Sequence, residues 1–367
     1  MRRLASLATL ILLAALLGVL LATRPFASQP QSPSTAWAQH VLESCDPQDL
    51  PRCTGLAVAA AVQDDPSGVF AATSAIVKAA PASYDCHVAL HYTALELVKQ
   101  HHPKELLRNY EPVCLDGFSH GVVEGFALTV DQAAFDADVM SLCSVFTPDS
   151  PGSDTCYHGI GHAFMIKNPG SLSAAARRCA EFPADPAVLC AQGVFMAYTN
   201  EGGPSLGNLD LGLSVKRLSP DEAVSLCNDL PDSPASVCWD MAWLLFDPAT
   251  VDVIASMKSL CESSGRFAES CYQGLGLALF FRSGSQPPSD PEAFRSYVLT
   301  RAAACGSAGL PLACLEGVAY SGTLWWGSFQ ESLDEYPSIC GLLPDPRPET
   351  IAACQDGESK VPTTPLK

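Results

Sequence analysis

The chain has 367 residues, about half of them apolar, and carries a formal net charge of −18. Its length admits two or three ordinary domains or one repeat array, and an acidic surface with no basic footprint argues against nucleic acid as a partner. Sixteen cysteines with no Cys-x-x-Cys pair exclude the usual thiolate zinc sites and point to disulfides formed in an oxidising compartment.

The N-terminus agrees with export. Arg2 and Arg3 precede an apolar run over 4–22, so residues 1–24 read as a signal peptide or an N-terminal membrane anchor. The run is close to the ~20 residues that span a bilayer. That tips the reading towards an uncleaved anchor, with the arginines inside and the rest of the chain outside. A Pro/Ser-rich linker fills 25–38, with Ala36-Trp37-Ala38 as a possible cleavage site far from the apolar run. The protein is expected outside the cytoplasm (periplasmic, cell-surface or secreted), touching membrane through its N-terminal segment only.

From residue 39 the chain repeats itself. Cys114-Leu-Asp-Gly, Cys156-Tyr-His-Gly, Cys190-Ala-Gln-Gly, Cys271-Tyr-Gln-Gly, Cys314-Leu-Glu-Gly and Cys354-Gln-Asp-Gly share Cys-x-polar-Gly, and Cys238-Trp-Asp-Met is a degenerate copy. The intervals are 42, 34, 48, 33, 43 and 40 residues, the range of helix–turn–helix repeats. Cys86-His-Val-Ala is a further possible copy. An apolar helix follows the cysteine, over 159–166, 193–198 and 274–281. A breaker comes next, and a second helix then ends at another cysteine, over 174–179, 222–227, 254–261 and 294–305.

Each cysteine that ends a second helix lies 9 to 14 residues before the one that opens the next unit. The simplest scheme is local: Cys143–Cys156, Cys179–Cys190, Cys227–Cys238, Cys261–Cys271, Cys305–Cys314 and Cys340–Cys354, with Cys45–Cys53 of the same form. Cys86 and Cys114 then pair with each other. Spacing leaves other connectivities open, but each local bridge would staple one helix end to the next helix start, at roughly 3 kcal/mol for such a loop. Gly117, Gly121 and Gly125 share one helical stripe, which reads as close helix packing.

The histidines carry the chemistry. His87 and His91, His120 and Glu124, and His158 and His162 are i, i+4 pairs in three successive units. On a helix that spacing puts two side chains on one face, as when two imidazoles clamp one ion. Equivalent positions of stacked repeats face one region, so five histidines and one glutamate converge, while His40, His101 and His102 read as surface or satisfied residues. Imidazole with one carboxylate suits zinc, copper or iron and disfavours magnesium and calcium. Six candidates exceed the three or four ligands of one zinc ion. Either two metals bind, with a bridged hydroxide, or some of the six lie outside the ligand set. Glu124 is the candidate catalytic residue, as ligand or general base.

The alternation of a cysteine closing one helix and a cysteine opening the next, from Cys45 to Cys354, resembles the disulfide-stapled, tetratricopeptide-like helical repeats of secreted bacterial proteins. That resemblance implies a peptide- or protein-binding scaffold and carries over no catalytic residue. The trio Cys86-His87-x-x-x-His91, His120-Gly121-x-x-Glu124-Gly125 and His158-Gly159-x-Gly161-His162 is similar to a family of uncharacterised exported Cys/His-motif microbial proteins.

The expected fold is all-α, an array of about seven to eight disulfide-stapled helical hairpins, as an α-solenoid or a closed α/α array. N-terminal repeats over 39–200 would carry the His-rich site, followed by C-terminal repeats over 201–355 and a polar tail over 356–367. The expected function is an exported metal-binding protein, acting as a hydrolase, an oxidase or a metal handler on an unknown protein or small-molecule partner. The alternative is a non-catalytic scaffold that binds a protein or peptide.

Overall fold

The computed structural model describes residues 34–359, apart from 82–83, 149, 200–216, 247–251, 283–286, 289, 308–311, 330–337 and 344–346. The expected signal peptide or anchor therefore lies outside the described residues. Among those described, no helix is long and apolar enough to cross a membrane.

Helices start where a short polar side chain can occupy the free N–H groups of a first turn. Ser34 takes the N–H of Trp37, Asp85 that of Val88, and Ser150, followed by Pro151, that of Ser153. Ser219 and Glu222 close a reciprocal capping box. The resulting helices are α1 (Thr35–Ser44), α2 (Leu50–Val62), α3 (Val69–Ala79), α4 (Cys86–Leu97), α5 (Pro103–Leu107), α6 (Gly117–Thr129), α7 (Gln132–Asp138), α8 (Pro151–Lys167) and α9 (Leu172–Cys179). They continue as α10 (Ala184–Thr199), α11 (Pro220–Asn228), α12 (Asp232–Leu245), α13 (Val253–Ser263), α14 (Ala268–Arg282), α15 (Pro291–Ser307), α16 (Leu312–Phe329) and α17 (Pro348–Ser359). No strand occurs among the described residues.

The expected all-α array is present, with three differences of boundary. Helices expected to start after the cysteine begin before it, so α8 starts at Pro151 rather than 159 because Ser150 supplies the cap. Helix α1 begins inside the stretch read as linker, and α17 runs on to Ser359, into the stretch read as tail.

The helices that carry or follow the cysteine opening each unit form one layer. In it α2, α4, α6, α8, α10, α12, α14, α16 and α17 each pack on the next, and the intervening helices back them as a second layer. One contiguous buried cluster runs from Ala38 to Cys354, crossing the expected boundary at residue 200. All eight expected cysteine pairs are at bonding distance, and none of the cysteines is free. The disulfides suit an oxidising, extracytoplasmic location. Trp326 belongs to the core, with its ring 4.9 Å from that of Phe294.

The glycine of the repeat signature sets the spacing of the front layer. A Cβ at Gly193 would collide with the backbone carbonyl of His158, one at Gly274 with that of Asp240, and one at Gly317 with that of Gln273. On α6 the stripe is used along its length: Gly117 abuts the His87 carbonyl, Gly121 the His91 backbone, with Cα only 2.7 Å from an added Cβ, and Gly125 the side chains of Val98 and Leu95. Backbone cannot step aside as a side chain can. Gly274→Ala is therefore expected to lower stability by about 2–3 kcal/mol or more. Gly341→Ala, with nothing within 4 Å of an added Cβ, should stay within about 0.5 kcal/mol. Denaturant melts of the oxidised proteins compare the two, and equal losses would remove the packing role.

Candidate metal centre

Three adjacent front-layer helices bring all six predicted residues together. Helix α4 carries His87 and His91, α6 carries His120 and Glu124, and α8 carries His158 and His162. His91, His120, Glu124 and His162 are 1%, 6%, 0% and 0% exposed, whereas His87 and His158 are half-buried. The cluster thus has an enclosed floor and a side nearer solvent, rather than lining an open groove.

Glu124 lies at the floor between the two outer helices. Its Oε2 accepts from His91 Nδ1 and its Oε1 from His162 Nδ1, both at 2.7 Å. Burial alone would push this carboxyl up. The pull of His91 and the hydrogen bonds from His162 and His91 outweigh it, and the carboxyl falls to about 2. Glu124 is therefore a carboxylate, and both Nδ1 atoms facing it carry the proton. Both its oxygens are engaged by histidine, which places it outside the imidazole cluster as an orienting group.

His87 is fixed in the same sense by backbone. Its Nδ1–H donates to the carbonyl of Cys114 at 3.0 Å, and a carbonyl can only accept. That carbonyl belongs to a tight turn, in which Cys114 and Asp116 hold φ of 54° and 61°. Left-handed backbone without glycine stores strain, of order 1–3 kcal/mol. Tyr110 helps to hold the turn, donating its hydroxyl to Asp116 Oδ1 at 2.5 Å. Burial raises the Asp116 carboxyl to about 6.

With Nδ1 facing its acceptor, each of His87, His91 and His162 turns its Nε2 inward, a lone pair when the ring is neutral. The Nε2 atoms of His87 and His91 are 3.0 Å apart, the separation of two nitrogens that share one proton or one ion. Two nitrogens bound to one ion at ~2.0–2.1 Å and about 90–110° stand about 2.9–3.4 Å apart. His158 and His162 also face each other, with Nε2 atoms 3.2 Å apart. His87, His91 and His120 each offer a nitrogen within 4.8 Å of the others, and the group could hold a metal ion. A second ligand-like group, Cys340, Cys354 and Glu358, has its cysteines in a disulfide.

Neutral rings are the ready form of the ligands. Burial, reinforced by His162 and His87 against Glu124, lowers His158 to about 3. Burial and the four surrounding histidines push His120 well below its ordinary value. The remaining histidines have ordinary roles. His102 caps α5 through the Lys104 N–H, His101 bonds the Gln63 carbonyl, and His40 is exposed. The Cys114 carbonyl and the Tyr110–Asp116 pair escaped the sequence reading, since a backbone acceptor leaves no residue signature.

These shifts make the metal-free protein acid-sensitive. Glu124 moves from an ordinary 4.5 to about 2 and His158 from 6.5 to about 3, so the unfolded chain binds more protons in both windows. The contribution of His158 is whole above pH 6.5 and is lost as pH falls towards 3. That of Glu124 is whole above 4.5 and is lost as pH falls towards 2. Denaturant melts of the metal-free protein should weaken steadily from pH 6.5 to 4.5, and His158→Asn should flatten that slope. An unchanged slope in the variant would remove His158 as its source. Compared with known proteins, the chain matches no family model, no curated protein and no solved structure.

Proposed function

We propose that this is an extracytoplasmic metal-binding protein that holds a zinc, copper or iron ion through ring nitrogens of His87, His91 and His120. The observation that carries the reading is the facing pair of Nε2 atoms of His87 and His91, 3.0 Å apart. In the neutral rings two lone pairs face each other there, which is repulsive, and a cation between them makes the contact attractive. The hydrogen bonds from Nδ1 to the Cys114 carbonyl and to Glu124 are the outer-shell partners expected of metal-ligating histidines.

Three imidazoles leave one position of a four-coordinate ion open, as catalytic rather than closed structural sites do. An ion bound there supplies Lewis acidity towards water or an oxygen-bearing substrate, and we assign the site to hydrolytic chemistry on that basis. All three donors are neutral, so the ion keeps its full charge. The half-buried His87 and His158 mark the side by which a small substrate enters. Glu124 acts through His91 as a positioning residue.

Elemental analysis of the oxidised protein, isolated without added metal or chelator, should find stoichiometric zinc, copper or iron. His87→Ala/His120→Ala should lose it while keeping its helical content. Glu124→Gln replaces one acceptor oxygen with a donor, so one facing histidine must move its proton to Nε2. Metal affinity is expected to fall about 10–100-fold. An ion at a hundred times its Kd stabilises the fold by ~2.7 kcal/mol, so chelation should lower Tm in the wild type and leave the double variant unmoved. No bound ion, even after reconstitution with zinc, copper(II) or iron(II), would sink the reading in favour of a metal-free scaffold.

A further inference from the structure

We propose that the cluster holds a second transition-metal ion, through His158 and His162, and that the His120 ring is shared between the two ions as an imidazolate bridge. This rests on the three-histidine reading above and deepens it.

The two sides of α6 are alike in the spacing of their rings. On one side the paired Nε2 atoms are 3.0 Å apart and on the other 3.2 Å. The His120 ring centroid lies 5.7 Å from those of His87 and His91, and 5.0 and 5.4 Å from those of His158 and His162. Within each pair the centroids are 4.6 and 5.0 Å apart. Rings sharing one ion place their centroids about 3.2 Å from it, and hence about 4.5–5.5 Å from one another. Both triangles fall close to that range, with His120 as their common corner. Glu124 gives one oxygen to each side, fixing His91 and His162 alike. His120 Nδ1 is buried and has no hydrogen-bond partner among the described residues. A ring between two imidazole pairs, with an unmatched buried nitrogen, has one coordinating atom to offer in each direction.

The proton count is simple. Neutral His120 carries one N–H. When the second ion binds, that proton leaves to solvent and the ring becomes an anion held at both nitrogens. The imidazolate and Glu124 then offset two of the four positive charges of two divalent ions. Ions joined across an imidazole ring stand about 6 Å apart, given bonds of ~2.0–2.1 Å. That is too far for one bridging hydroxide, which needs roughly 3.5–4 Å. The two-metal form expected from the sequence, with its bridged hydroxide, is therefore replaced here by a ring-bridged pair.

Copper(II) is the probe, because nitrogen sites bind it more tightly than other divalent first-row ions and its unpaired electron reports coupling. The metal-free full-length protein should take up two equivalents. At low temperature its electron paramagnetic resonance signal should integrate to well under two spins, since exchange through the shared ring couples the ions. His158→Ala/His162→Ala should bind one equivalent and show one full spin, and so should His87→Ala/His91→Ala. One equivalent in the wild type, unchanged in His158→Ala/His162→Ala, would overturn the second site and leave the first standing. Two equivalents with two full, independent spins would overturn the shared ring. No bound copper in the wild type would overturn this proposal and the three-histidine reading together. If either variant loses its helical content, the wild-type stoichiometry and spin count decide alone.

Discussion

Everything at this site depends on how closely neighbouring front-layer helices approach. An imidazole reaches only a few ångströms from its own helix, so rings on α4 and α8 can meet a ring on α6 only if the backbones nearly touch. Glycine at the contact makes that possible: Gly117 and Gly121 bring α6 onto α4, and Gly159 brings α8 to α6, with an added Cβ 3.3 Å from the His120 Cα. The choice has a cost, since each glycine in a helix interior is unfavourable by roughly 1 kcal/mol against alanine. Eight local disulfides, each closing a loop of 8 to 28 residues, offset it from the unfolded side. At roughly 3 kcal/mol per loop they exceed the glycine cost.

That scaffold allows an otherwise unfavourable electrostatic arrangement. Five imidazoles share the site with one carboxylate, and four of the six residues are almost wholly out of water. Burial drives His120 and His158 towards their neutral forms, while Glu124 stays ionised because both its oxygens are hydrogen-bonded. The single negative charge and its two N–H donors set the proton positions on both flanking helices at once. The Nε2 atoms of His87, His91 and His162 are left pointing inward, and lone pairs gathered at one place favour a cation.

Much of this was legible in the sequence, for specific reasons. The disulfide pairing followed from short spacings, because cysteines such as Cys179 and Cys190 are close along the chain and flank a helix–loop–helix junction. The histidine cluster followed from i, i+4 pairs at related places in three successive repeats. Other features left no trace. The helix start at Pro151 depends on the Ser150 cap, several residues upstream of the cysteine that marks the unit. Glu124 read as ligand or base because its spacing from His120 is that of a clamp, yet its oxygens face His91 and His162 on other helices. The partner of His87 is a backbone carbonyl, which no residue type announces.

That carbonyl has a consequence of its own. It belongs to Cys114, whose sulfur is bonded to Cys86, and Cys86 is the residue immediately before His87. The disulfide and the hydrogen bond therefore close one small ring of structure, in which the bond between the sulfurs holds the acceptor beside the imidazole it orients. Reduction would release the strained Cys114–Asp116 turn, and with it the group that keeps the His87 proton on Nδ1. Ligand geometry at this corner thus depends on thiol chemistry. A reduced chain would lack this orienting contact, and the corner would be complete only under oxidising conditions.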